Sequence, residues 1–222
     1  FVFRFGVPRG SSLLDRLQSD PEYYQALGLS EPPVEGDWLS RPVLEFFSKF
    51  EPTDRFLPLE TALNFSGLSN PEFARIVEYT LLIGIFLRDL FARACIELWD
   101  GKFEFAKGRQ LMLGDAVSPD ELRLVMDSVQ ISKEPIRQYY RKYGREFCSK
   151  ISEAKKITQE TKKEIKEIMT VELKCRPGRM DKDFKAIMED MYTSLTAETT
   201  GLDIFKKARP LREIIRKISR YV

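Results

Sequence analysis

The chain has 222 residues, 43% of them hydrophobic and 32% charged, with a formal net charge of +2. That length supports one large domain or two small ones with a core that needs no metal or disulfide staple. The composition excludes a disordered tail, and the most apolar run, Leu81 to Leu87, is too short to span a bilayer.

There is no histidine. This excludes a Ser-His-Asp or Cys-His nucleophile, a His-ligated zinc and imidazole base catalysis. Cys95, Cys148 and Cys175 lie far apart without a CxxC, which excludes a Cys₄ zinc site and points to a reducing, cytoplasmic setting. Charge is unevenly spread. From Glu134 to the end there are 22 basic and 14 acidic residues, against 14 and 20 before it. The basic residues interleave with glutamates at helical spacing, as in Lys162-Lys163-Glu164-Ile165-Lys166-Glu167, so solvated helix faces are expected rather than a nucleic-acid surface.

Residues 1–5 alternate and are aromatic-rich, which predicts a strand and a chain that opens inside a fold. Gly6 to Gly10 reads as a turn, and Ser12-Leu-Leu-Asp15 as the capped start of a short helix through Leu17. Residues 29–42 read as loop and Val43 to Phe50 as a strand. Asn70-Pro71 opens a long helix to about Ala94, apolar nearly all round and therefore expected at the centre of the core. Ile96–Phe105 and Gln110–Leu113 predict a hairpin about Ala106–Arg109. Helices are expected at about 134–144, 147–169, 181–196 and 202–220.

On a regular strand, Asp100, Lys102 and Glu104 share one face, while Trp99, Phe103 and Phe105 take the other, core face. Asp115 follows the partner strand, and Asp120 and Arg123 follow a Ser-Pro-Asp turn. Four acids, a lysine and an arginine are thus expected at one end of a hairpin. Clustered carboxylates suit Mg²⁺, and a lysine beside them suits a phosphate or an acyl phosphate. Taken alone, the strand pattern also fits a surface charge ladder. Arg4, Arg9 and the Gly10-Ser11-Ser12 helix start form a second constellation, suited to an anion but equally to an ordinary capped turn.

In order and spacing, Arg4…Gly10-Ser11, Asp100-x-Lys102-x-Glu104-Phe105 and Leu113-Gly114-Asp115-x-x-Ser118-Pro119-Asp120-x-x-Arg123 resemble the phosphoribosylaminoimidazole-succinocarboxamide synthase (SAICAR synthetase) family over about residues 1–145. The resemblance implies an α+β fold: an antiparallel sheet with a central long helix and a helical C-terminal extension. It implies a substrate- and metal-binding domain at 1–146 and the extension at 147–222. The implied activity is an ATP-dependent ligation of L-aspartate to carboxyaminoimidazole ribonucleotide (CAIR), with Mg²⁺, in a cytoplasmic homo-oligomer of at least two subunits. Neither a membrane nor a nucleic acid is an expected partner.

Residue by residue, the resemblance places Arg4 and Ser11 on the ribonucleotide and Asp100 and Lys102 at its carboxylate as catalytic groups. Glu104 and Asp115 are the implied metal ligands. Asp120, Arg123 and Arg137, with Lys49 and Asp54 on a further loop, complete the substrate site. Three departures stand out: Ala116 where the family carries an acid, a loop between Arg4 and Gly10 one residue longer than usual, and a longer helical tail. The family's ATP-cradling lobe, with its Gly-Lys-x-Lys strand, would precede Phe1, so this chain alone is expected to be inactive. A related ATP-dependent transferase with another acceptor, and a non-catalytic binding module with a basic helical surface, are the alternatives.

Overall fold

The computed structural model describes every residue except Phe50, Pro52, Thr53, Asp115, Asp203, Lys206 and Lys207. The chain divides into two compact units, Phe1–Ser48 with Phe56–Val125, and Lys49–Arg55 with Met126–Val222. Both are mixed or helical elements of an α+β protein, as expected. Among the described residues, no helix is long and apolar enough to cross a membrane.

The first unit contains strands β1 (Val2–Gly6), β2 (Trp38–Phe47), β3 (Phe56–Leu57), β4 (Glu97–Lys102), β5 (Phe105–Lys107), β6 (Leu111–Leu113) and most of β7 (Leu122–Met126). Its helices are α1 (Ser12–Ser19), α2 (Tyr23–Ala26), α3 (Leu59–Ser66) and α4 (Asn70–Ala92). The main antiparallel sheet runs β3-β2-β1-β4-β7, and β5 and β6 form a separate hairpin. Phe3 and Phe5 on β1 are buried, and Phe3 stacks on Phe103 at 5.1 Å between ring centres. Helix α4 approaches this sheet through Gly84, where an added Cβ would lie 3.0 Å from the Phe3 ring.

Several boundaries differ from expectation. The predicted loop at 29–42 gives way to β2 from Trp38; Pro42 is accommodated because the β1–β2 register is irregular between the Arg4 and Gly6 pairs, where the ladder needs no amide. The expected strand 96–105 breaks after Lys102, so the hairpin is only Phe105–Lys107 against Leu111–Leu113. Helix α4 is not surrounded by core. Phe73, Ile76, Gly84, Leu87 and Phe91 face inward, while Leu82 and Phe86 are 56% and 65% exposed. Helix α3 and β3 were not foreseen at all.

The second unit holds β8 (Val129–Gln130) and helices α5 (Glu134–Tyr143), α6 (Arg145–Thr161), α7 (Ile165–Glu167), α8 (Lys182–Thr200) and α9 (Leu211–Ile218). The expected helix 147–169 is two: α6 stops where Lys162 adopts a left-handed φ of 58°, and α7 runs on into a π-turn, Ile168–Glu172. Likewise the expected helix 202–220 begins only at Leu211, after Pro210. Ala154, Ile168 and Met169 form one core cluster with Phe147 and Ile151 packed on it. Helices α8 and α9 bury Phe184, Met188, Met191 and Leu195, and Leu211, Ile214, Ile215 and Ile218.

Candidate functional site

Sheet register aligns the charged residues of the first unit. Arg4 pairs with Asp100 across β1–β4, and Asp100 pairs with Arg123 across β4–β7, so the three stand in a row on one face. A bulge makes this possible. Between Leu98 and Asp100, β4 advances two residues while β7 advances one, from Leu124 to Arg123. Trp99 is the extra residue; it leaves the ladder and packs on Trp38 at 4.4 Å. A regular strand would put Asp100 on the face of fully buried Leu98. The bulge turns Asp100 to the opposite face, toward Arg4. The expected core role of Trp99 is therefore overturned. Gly101 takes the inward place, close enough to Phe3 that a Cβ would clash at 2.6 Å.

Arg4 is 3% exposed and nearly saturated. Its Nε donates to Glu45 at 2.6 Å, Nη1 donates to Asp100 at 2.6 Å and to Ser11 at 3.3 Å, and Nη2 donates to Ser12 at 3.1 Å. Four of its five N–H groups are thus engaged. Ser11 reaches it through a turn closed by the Ser11 amide on the Pro8 carbonyl, with Gly10 at φ 70°. The same Ser11 hydroxyl caps α1 by accepting from the Leu13 amide. The expected anion subsite is occupied by the protein's own contacts on the Arg4 side, and Arg4 acts as its organiser.

Glu45 and Arg16 complete the network and were not singled out from the sequence. Glu45 has a fully buried side chain that accepts from Arg4, from Arg16 Nε at 2.6 Å and from the Tyr23 hydroxyl at 3.1 Å. Burial, then the Glu45 charge, push the Tyr23 phenol well above its ordinary range. The available signal was an acid in the apolar run Val43-Leu44-Glu45-Phe46-Phe47, at a position sharing a face with Val43. Arg123 lies 3.4 Å from Asp100, and its Nη1 is buried without a hydrogen-bond partner among the described residues. Three arginines, Arg4, Arg16 and Arg123, therefore surround two carboxylates, Glu45 and Asp100.

A second group sits at the strand end. Lys102 lies 3.5 Å from Glu104 and 3.4 Å from Glu121, which was also not foreseen. Glu104 accepts the Gly114 amide on its backbone carbonyl at 2.7 Å. Asp120 lies on the 3₁₀ turn Pro119–Glu121. Strand β4 ends at Lys102, so Asp100 lies in the sheet ladder beside Arg4 and Arg123, while Glu104 stands beyond the strand end beside Lys102. Asp115 lies outside the described residues. Among those described, no group of three or more Asp, Glu, Cys or His could hold a metal ion. Lys49, Asp54 and Arg137 belong to the second unit, where Arg137 pairs with Glu134 at 3.3 Å on α5.

Comparison with known proteins gives a consistent identity. A protein of Archaeoglobus fulgidus, whose name provisionally assigns it as a phosphoribosylaminoimidazole-succinocarboxamide synthase, is 31% identical over 98% of this chain and 62% of its own length. The synthase of that name from Thermoplasma acidophilum is 34% identical over 65% of this chain and 52% of its own. A solved structure described as SAICAR synthetase (Type-2) in complex with ADP superposes with a TM-score of 0.50 at 28% identity, covering 61% of this chain and 53% of that one. The chain spans about half to three-fifths of the length of the relatives it matches. The SAICAR synthetase family model matches residues 10–160, more than half of the sequence, and the chain belongs to that family.

Proposed function

We propose that this chain carries the ribonucleotide-binding part of a cytoplasmic ATP-dependent carboxylate–amine ligase, which joins L-aspartate to CAIR to give SAICAR, ADP and phosphate. The carrying observation is the largely buried cluster of three arginines and two carboxylates, with Arg123 at its edge, whose Nη1 lies 3.4 Å from Asp100 but makes no hydrogen bond among the described residues. One excess positive charge in a poorly solvated site suits an anionic sugar phosphate. Arg123 is the group with a donor to give; Arg4, Glu45 and Arg16 hold Asp100 and Ser11 in place around it.

In this reading the carboxylate of CAIR attacks the γ-phosphorus of ATP, ADP leaves, and an acyl phosphate forms. The aspartate amine then attacks the acyl carbon, phosphate leaves, and the amine gives up a proton. No residue need become covalently bound, in keeping with a chain that lacks histidine. Lys102, held between Glu104 and Glu121, offsets negative charge at the carboxylate end. Asp100 fixes the arginine row, and Asp120 adds a contact to the ribose. Lys49, Asp54 and Arg137 complete the substrate site in the assembled enzyme.

Glu104 and Asp115 would hold Mg²⁺. The all-oxygen donor set suits that ion, and Glu104 is paired through its backbone with Gly114, the residue before Asp115. Bound Mg²⁺ supplies charge neutralisation to the transferring phosphoryl group. We place the functional division at 146/147, since every assigned residue precedes it. Assembly into at least a dimer belongs to the same reading, with the exposed Leu82 and Phe86 of α4 as available apolar surface.

The test is titration calorimetry of CAIR and of ATP against the purified protein and Arg123→Ala, beside SAICAR formation by the full-length enzyme. Loss of one charge-assisted contact, about 1.5–3 kcal/mol, predicts roughly a ten- to hundredfold weaker CAIR affinity and unchanged ATP affinity. Equal weakening of both ligands, or no SAICAR formation, would overturn the assignment.

A further inference from the structure

The second unit contains a cavity of about 440 Å³ between the α5–α6 turn and the loop that follows the π-turn. Four cationic side chains line it, Arg145, Lys150, Lys174 and Arg176, against one carboxylate, Glu146. Lys150 is committed to Glu153 at 2.8 Å. Arg145, Lys174 and Arg176 form no ion pair among the described residues. This contrasts with their surroundings, where Lys163 pairs with Glu172 and both Arg137 and Arg141 pair with Glu134.

The backbone of the loop that carries Arg176 is tied down by two hydrogen bonds. Tyr140 donates its hydroxyl to the Gly178 carbonyl at 2.8 Å, and the Cys175 amide donates to the Met169 carbonyl at 2.8 Å. These two bonds bracket the loop from 175 to 178. Lys174, between the π-turn and Cys175, has a left-handed φ of 46°, which directs the chain into that bond.

We propose that this cavity is a binding site for a polyphosphate group, whether free or carried by a nucleotide. Three cations that form no ion pair among the described residues, set against the one lining carboxylate Glu146, leave the concavity net positive and suited to a di- or triphosphate, and two of them are arginines able to grip phosphate oxygens in pairs. The volume suits a small molecule rather than a polymer. Glutamates interrupt the neighbouring basic residues, so there is no continuous stripe for a nucleic-acid backbone. The site is built wholly from second-unit residues and does not depend on the ligase reading. It lies partly beyond residue 160, where the family match ends.

The experiment is titration calorimetry of sodium tripolyphosphate, and separately of ATP, at fixed ionic strength. Four proteins are compared: the unaltered chain, Arg145→Ala/Arg176→Ala, the surface control Lys182→Ala/Lys185→Ala on α8, and Arg123→Ala. Tripolyphosphate affinity should fall at least tenfold in the Arg145/Arg176 variant alone. If ATP loses affinity in parallel, a nucleotide is the carrier; if only tripolyphosphate does, the free anion is. Circular dichroism confirms folding, and the single Arg176→Ala variant on the exposed loop repeats the measurement with minimal disturbance. No measurable tripolyphosphate binding, equal loss in the α8 control, or loss confined to Arg123→Ala would overturn the proposal.

Discussion

Replacing Glu45 with glutamine tests the network that organises the arginine row. The carboxylate is fully buried and accepts from Arg4 Nε, from Arg16 Nε and Nη2, and from Tyr23. A carboxamide keeps one acceptor oxygen and turns an NH₂ toward guanidinium donors. Arg4 and Arg123 would then share Asp100, and Arg16 would lose its carboxylate partner. Removing one partner of a buried ion pair costs about 3–5 kcal/mol. Here Asp100 still holds Arg4 at 2.6 Å, and Arg16 is 16% exposed and regains some water. The expected loss is therefore at the low end, about 3 kcal/mol. Both tryptophans, Trp38 and Trp99, lie in the first unit, so urea unfolding followed by tryptophan fluorescence at neutral pH reports on that unit alone. Glu45→Leu, which offers no acceptor, should be at least as destabilised. A loss below about 1 kcal/mol in Glu45→Gln, or wild-type stability in Glu45→Leu, would refute the argument.

Three further outcomes are expected. Hydrogen bonds from Ser69, then from Lys107, hold the Glu72 carboxyl down to about 2, below its ordinary value. A lowered folded-state pKa stabilises above the unfolded value and is lost as pH falls through the folded one. The melting-temperature advantage over Glu72→Gln should thus be full above pH ~5 and vanish towards pH ~2; a pH-independent difference would contradict this. Gly101→Ala places a Cβ 2.6 Å from both Leu122 and Phe3, which are 5% and 0% exposed, and should cost about 1–3 kcal/mol in chemical denaturation. Phe86→Lys, at a 65% exposed position, should leave stability within about 0.5 kcal/mol, and should shift sedimentation towards monomer if the proposed dimer forms through α4; an unchanged sedimentation coefficient would remove α4 from the proposed interface.

The residues that matter were largely readable as a linear pattern, and their burial was not. Alternation identified β1, the capped Pro71 start identified α4, and the ordered acids, lysine and arginines identified the family, because these signals are local or depend on spacing alone. Helix ends at Lys162 and before Leu211 were missed, since a left-handed lysine and a proline-led restart are decided by packing rather than propensity. Glu45 escaped because an acid in an apolar run gains meaning only when two arginines arrive from β1 and α1. The face on which Trp99 stands is the clearest case: Asp100 keeps the side opposite buried Phe103 that alternation predicts, while Trp99 leaves the core. Strict alternation follows from the sequence, but the bulge at Trp99 exists because β7 pairs Leu124 with Leu98 and Arg123 with Asp100. Long-range register, which keeps Leu98 in the core and Asp100 beside Arg4, decided that Trp99 leaves the ladder.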